Sequence, residues 1–295
     1  MKNKFINASI AYLIWGSFPL YWKQLEQVPA LQILGHRVVW SFLFLMLLLT
    51  LQRGWSGLLQ GVREQGRLYA LAGLVLGFNW LLYVWGVNSG QIIETSLGSF
   101  MTSLFTVLFG VIFLKEKLRL FQWIPIVFMC GSVIYLTIEH GTFPWLAVSL
   151  GASFSLYTLL KKKASLEPLL GLTIETGFLF LPCLVLLIVT DFQGNGAFGH
   201  SELITDLLLA GGGIITGLPL LLFARAVQAI PLWLMGLFQY IPPTMFFYIG
   251  VFIYQEPVSI EKMIVFCIIW LAIFLFWLEG IIWQKRQRKS SFVCS

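Results

Sequence analysis

Residues 32–51 read QILGHRVVWSFLFLMLLLTL. From Val38 onward almost every side chain is apolar, as in a helix that sits in lipid. Yet His36 and Arg37 stand within the first two turns. A cation at that depth is costly when it faces acyl chains. The stretch therefore reads as a membrane helix whose charged residue either snorkels to the headgroups or faces a wet interior.

Composition extends that reading to the whole chain. Of 295 residues, 58% are hydrophobic and 11% are charged, and mean hydropathy is +0.86. A water-soluble surface of this size needs far more charge. The net charge of +6 is therefore a topology signal and not a footprint for nucleic acid. Cys130, Cys183, Cys267 and Cys294 match no metal-site spacing, so neither a metal nor a cofactor is expected. The chain has no His-Glu-x-x-His, no paired intramembrane aspartates and no Walker A motif. A non-enzyme is expected, without ATP hydrolysis of its own.

Ten apolar spans follow at about 5–22, 31–51, 68–87, 92–114, 121–138, 143–160, 169–190, 203–224, 232–254 and 263–283. Lys2 and Lys4 before the first span resemble a signal peptide. Its long apolar run and the lack of a small-residue cleavage site make it a retained helix. With the N-terminus inside, 16 of the 19 Lys and Arg residues fall in inner segments. Only Lys23, Arg37 and Lys262 fall outside. Both termini are thus expected in the cytoplasm, with the chain a multi-pass protein of the cytoplasmic membrane. Lys161, Lys162 and Lys163 read as an inner anchor on the same rule.

A slide of 140 residues brings out a repeat. Gly73 and Gly77 land on Gly213 and Gly217, Gly110-Val111 on Gly250-Val251, and Glu116 on Glu256. Nine of 44 positions between 73 and 116 are identical without a gap. The expected domains are 1–140 (first five-helix repeat), 141–283 (second repeat) and 284–295 (basic cytoplasmic tail). Five is odd, so the second repeat enters the membrane upside down. The fold class is all-α and polytopic, with ten transmembrane helices in two inverted repeats. Inverted repeats mark transporters with a midplane site between the halves.

The candidate site residues are polar or aromatic groups at depth. Arg37 lies six residues into helix two and Glu175 six into helix seven, each roughly 9 Å below its interface. Arg37 could orient an anionic or polar group, and Glu175 could carry a proton. His36 points about 100° away from Arg37 on a helix and serves another surface. Asn79 is either interhelical glue or a substrate contact, and Trp80 sits beside it. Asn88 and Glu94 mark the outer junction of helices three and four. Gln239 and Tyr240 precede Pro242-Pro243, which should kink helix nine beside a cavity. Trp22, Trp55 and Trp283 read as interface-belt residues.

The ordered segments AYLIWGSFPLYWK (11–23), GHRVVWSF (35–42), NWLLYVWGVN (79–88), ETSLG (94–98), IET (174–176) and FQYIPPT (238–244) resemble RarD-type members of the EamA branch of the drug/metabolite transporter (DMT) superfamily. The resemblance covers nearly the whole chain. It implies an EamA/DMT basket of ten helices around a central cavity, and export of a drug, amino acid or metabolite. By motif it carries over His36, Arg37, Asn79, Asn88, Glu94, Glu175 and Gln239. One departure stands out: Thr102-Ser103 occupies the place where that group tends to have Asn-Pro. The expected partners are a small-molecule substrate, membrane lipid and, for coupling, protons. Oligomeric state is left open. A lipid-linked-sugar flippase is the alternative, followed by a membrane-embedded enzyme.

Overall fold

The computed structural model describes residues 2–88, 92–118 and 143–255. Elsewhere it describes only 123, 126–128, 130–131, 134, 260, 263–264, 267–268, 270–271 and 274. The fifth and tenth expected spans lie mostly outside the described residues, as does the tail with Trp283.

Regular structure among the described residues is helical throughout. The helices are α1 (Lys2–Gly16), α2 (Phe18–Trp22), α3 (Ala30–Leu51), α4 (Trp55–Asn88), α5 (Ile92–Leu114), α6 (Trp145–Lys163), α7 (Pro168–Phe192), α8 (Leu203–Val227), α9 (Leu232–Phe238) and α10 (Ile241–Tyr248). A π-helical turn over Ile249–Ile253 continues α10.

Ala30–Leu51, Pro168–Phe192, Leu203–Val227 and the composite Leu232–Ile253 are long and apolar enough to cross a membrane. Their outer faces expose large apolar residues in helical register, such as Leu181, Val185 and Ile188 on α7 and Leu203, Leu207 and Ile214 on α8. Water does not tolerate such stripes, whereas acyl chains do.

Two elements depart from the sequence reading, and a third breaks next to the prolines expected to kink it. The first span breaks at Ser17, because Pro19 has no N–H to continue the ladder. The third begins at Trp55 rather than 68. At 34 residues it is roughly 51 Å long, more than the ~30 Å core requires, so one end projects beyond the hydrocarbon. The ninth breaks at Gln239–Tyr240, just before the two prolines. Proline is tolerated in a first turn, where its missing N–H would have no partner anyway. By contrast α5 runs unbroken through Thr102 and Ser103, and the Thr102 hydroxyl donates to Gly98 O at 3.0 Å.

The main helix pairs cross between the two halves of the chain. α3 packs on α7 and α8, α1 on α8 and α10, α4 on α6 and α7, and α5 on α6 and α9. This set is unchanged when α1, α3, α4 and α5 are exchanged with α6, α7, α8 and α9–α10. The 140-residue offset also recurs in the backbone. Lys115 (φ 56°) and Gln255 (φ 52°) both take the left-handed conformation at matching positions.

The paired glycines explain the close approach. A Cβ on Gly73 would lie 2.9 Å from the Glu175 carbonyl oxygen, and one on Gly213 would lie 2.4 Å from Trp40. Any side chain at these points would push α4 off α7, or α8 off α3.

Candidate functional site

The polar residues buried in the bundle form an arginine cluster and a lysine–glutamate cluster, with glue and caps between helices. Arg37, on α3, is 8% exposed. Its Nε donates to the Thr216 hydroxyl of α8 at 3.1 Å. Three rings surround its guanidinium carbon: Trp22 at 4.7 Å, Trp80 at 5.0 Å and Phe18 at 5.6 Å. Among the described residues no carboxylate pairs with it. Gly212 leaves the room for this arrangement, since a Cβ there would lie 3.2 Å from the Trp22 ring and 3.9 Å from Arg37.

Trp22 was read as a belt residue, and the structure corrects this. Its ring stacks over Arg37, and its Nε1 is buried without an acceptor. The broken first span explains the difference, because α2 turns the Trp22 ring inward over α3.

His36 takes a separate surface, as its 100° offset requires. Its ring lies 5.3 Å from Phe198 in the loop between α7 and α8. Phe198 also lies 5.8 Å from Trp40. Gln32 pins that loop by donating to Asn195 O at 2.7 Å and accepting from Ala197 N at 2.9 Å.

Asn79 serves as glue. Its amide hydrogens go to Leu150 O and the Ser153 hydroxyl of α6, each at 2.9 Å. Asn88 and Glu94 lie at helix ends, and their side chains are outside the described residues. Gln239, at the break between α9 and α10, is 4% exposed, and its amide lies beside the Tyr12 hydroxyl without a well-formed hydrogen bond. Tyr240 is buried and lies 6.5 Å from Phe100, which matches it across the 140-residue slide.

Glu175 is fully buried on α7. Its Oε2 accepts from Lys161 Nζ at 2.8 Å, and Lys161 is 1% exposed. The anchor reading of the lysine triplet is therefore corrected at this residue. Lys161 faces inward, one turn beyond Tyr157 on α6. Lys162 donates to Ile230 O at 2.6 Å, and Lys163 alone of the three is exposed. The rings of Tyr69 and Tyr157 flank Lys161 Nζ at 5.1 and 5.9 Å. Glu175 Oε1 and both tyrosine hydroxyls are buried, with Tyr157 close to the Glu175 carboxylate and Tyr69 close to the Leu166 backbone but no well-formed bond in either place.

Glu116 was expected only as a repeat marker. Its Oε1 and Oε2 accept from the backbone N–H groups of Leu232 (2.9 Å) and Trp233 (3.1 Å). A carboxylate is a strong partner for these free N–H groups at the start of α9. Nearby, Gln228 donates to Ala164 O and Leu166 O. The Glu116 bonds tie the two halves together at this end, while Lys162 and Gln228 join α6 and the turn after it to the α8–α9 turn within the second half.

The family follows from comparison with known proteins. The chain is 40% identical over 294 residues to "Uncharacterized transporter YojE" of Bacillus subtilis (strain 168), covering 97% of each chain. The chain belongs to the EamA-like transporter family. Its residues 4–138 match that family's model. This EamA-like transporter is also 37% identical over 285 residues to "Protein RarD" of Escherichia coli (strain K12), covering 96% of each chain. A solved crystal structure with 16% identity matches with a TM-score of 0.69, covering 94% of this chain and 96% of that one. That likeness supports the fold alone. For an EamA-like transporter, the two clusters have clear chemical capacities. One presents cationic N–H donors within aromatic walls, and the other holds a buried carboxylate–lysine pair between two tyrosine rings.

Proposed function

We propose that this EamA-like transporter carries a small organic solute, such as a drug, amino acid or metabolite, outward across the cytoplasmic membrane by alternating access. Both chain ends lie in the cytoplasm in this reading. The observation that carries it is the placement of two buried charged clusters on facing helices. Arg37 lies with Trp22, Trp80 and Thr216, while Glu175 lies with Lys161, Tyr69 and Tyr157. The buried amide of Gln239 adds a third polar point. A bundle kept only for packing gains nothing from such groups.

In this reading the contacts of Glu116, Lys162 and Gln228 close the cytoplasmic side, and the Arg37 cluster is the one open to solute. The main contacts already join one half to the other, so the halves are not separate lobes that part as rigid blocks. Switching runs through the broken segments at Ser17 and Gln239–Tyr240, where few backbone bonds must change. Glu175 is the proton carrier: protonation releases Lys161 to the tyrosines and loosens α6 from α7.

The test is flux. Proteoliposomes with purified protein are loaded with a mixed pool of amino acids, nucleosides and hydrophobic drugs, and efflux is followed by mass spectrometry. The reading expects at least one solute to leave faster than from empty liposomes, with the excess lost in Arg37→Gln. No solute-specific efflux under either a pH gradient or a membrane potential would overturn it.

A further inference from the structure

The arginine cluster has one property that narrows the solute. A guanidinium offers five N–H donors in a flat fork, and ring faces stabilise its charge without accepting its in-plane hydrogens. Here Nε is taken by Thr216. Trp22, Trp80 and Phe18 lie 4.7 to 5.6 Å from the guanidinium carbon. The two terminal NH2 groups have no acceptor among the described residues. The indole N–H of Trp22 is likewise buried without one. These donors lie in one cluster with a net positive charge and no described carboxylate.

We infer that Arg37 and the indole N–H of Trp22 form a receptor for the carboxylate of an anionic solute with an apolar or aromatic body, held between Trp22, Trp80 and Phe18. This rests on the transporter reading above and names the class of solute. A carboxylate matches the fork edge in two parallel bonds. Its charge replaces the counter-ion that Arg37 lacks, and the rings take the apolar body. Thr216 holds Nε so that the fork edge stays in place. An amine would meet like charge, and an amide would lose the charge-assisted part of the bond.

The probes are 3-phenylpropionate, 3-phenylpropionamide and 3-phenylpropylamine, which share one body under three head groups. Binding is read as the dose-dependent rise in melting temperature of the purified full chain in nanodiscs of neutral lipid. The acid is expected to stabilise with a Kd about tenfold or more below that of the amide, and the amine not to stabilise. Arg37→Gln should abolish the acid preference. Trp22→Phe keeps the ring and removes the N–H, and should weaken the acid several-fold and the amide less, since only the acid loses a charge-assisted bond. If Arg37→Gln does not fold, Thr216→Val decides, with the same several-fold loss expected for the acid alone. Equal stabilisation by the three probes, preference for the amine, no stabilisation by any, or an acid preference that survives Arg37→Gln or is unmoved by Trp22→Phe would overturn the receptor. Because the readout is binding, it separates the two claims. Acid binding without flux sinks the transporter reading alone, and flux of other solutes without acid binding sinks the receptor alone.

Discussion

Lys161 Nζ stands 2.8 Å from Glu175 Oε2, with both side chains sealed from solvent. The pair bridges α6 and α7, with the buried Tyr69 and Tyr157 around it. Removing one partner of such a pair leaves an uncompensated charge, whereas removing both need cost little. Lys161→Met and Glu175→Leu, made singly, should each destabilise the protein by roughly 3–5 kcal/mol. The double variant should recover most of that loss but not transport. Thermal melts beside flux assays test this, and a double variant as unstable as the singles would count against it.

Glu175→Gln keeps shape and removes the titrating proton. It should leave insertion intact, lower the melting temperature because Lys161 loses its counter-charge, and flatten the pH profile of transport in proteoliposomes. A profile that keeps its slope would remove Glu175 as the proton carrier.

Lys161 was hidden in the sequence by its neighbours. A run of three lysines at the end of an apolar span reads as an anchor, and only Lys163 behaves as one. The available signal was helical spacing, which places Tyr157 and Lys161 on one face, turned away from lipid. Trp22 was misread for a related reason: a tryptophan near a span end usually belongs to the belt, but the break at Ser17 turns it over Arg37. The span Ile92–Leu114 was legible at both ends because continuous hydropathy marks it. The start of α4 was not, because Trp55–Arg67 mixes charge and glycine and gives no apolar run. The glycine pairs were legible as a repeat, and what a Cβ would strike names the neighbours they admit, Glu175 for Gly73 and Trp40 for Gly213.

Those glycines give a prediction with an internal control. Gly213→Ala places a methyl 2.4 Å from Trp40 and should destabilise by about 1–3 kcal/mol. Gly66→Ala, on α4, meets nothing closer than Val62 at 3.5 Å. It should be neutral or stabilise by about 0.5–1 kcal/mol through the unfolded chain and helix propensity. Melting curves of the two variants should move in opposite directions, or at least separate by that sum.

Glu116 holds the first N–H groups of α9 across the two halves of the chain. Glu116→Ala should cost about 1–2 kcal/mol of cap energy. It should also loosen the same end of the bundle at Ile230, which is 3% exposed. A cysteine at Ile230, in a background without the native cysteines, should react with a maleimide several-fold faster when Glu116 is alanine. Equal rates would show that the cap does not hold this end closed.

The account depends most on the two clusters being reached from opposite sides of the membrane and never both at once. A single cysteine is placed at Thr216 or at Tyr157, and a membrane-impermeant maleimide is applied from outside or inside to oriented vesicles. Both positions are sealed in this state, Thr216 at 1% and Tyr157 at 0% exposure, so labelling reports transient opening: Thr216→Cys should react only from outside and Tyr157→Cys only from inside, with Glu116→Ala shifting the balance toward Tyr157. Labelling of both positions together, or rates that rise and fall in parallel, would contradict alternating access in this fold.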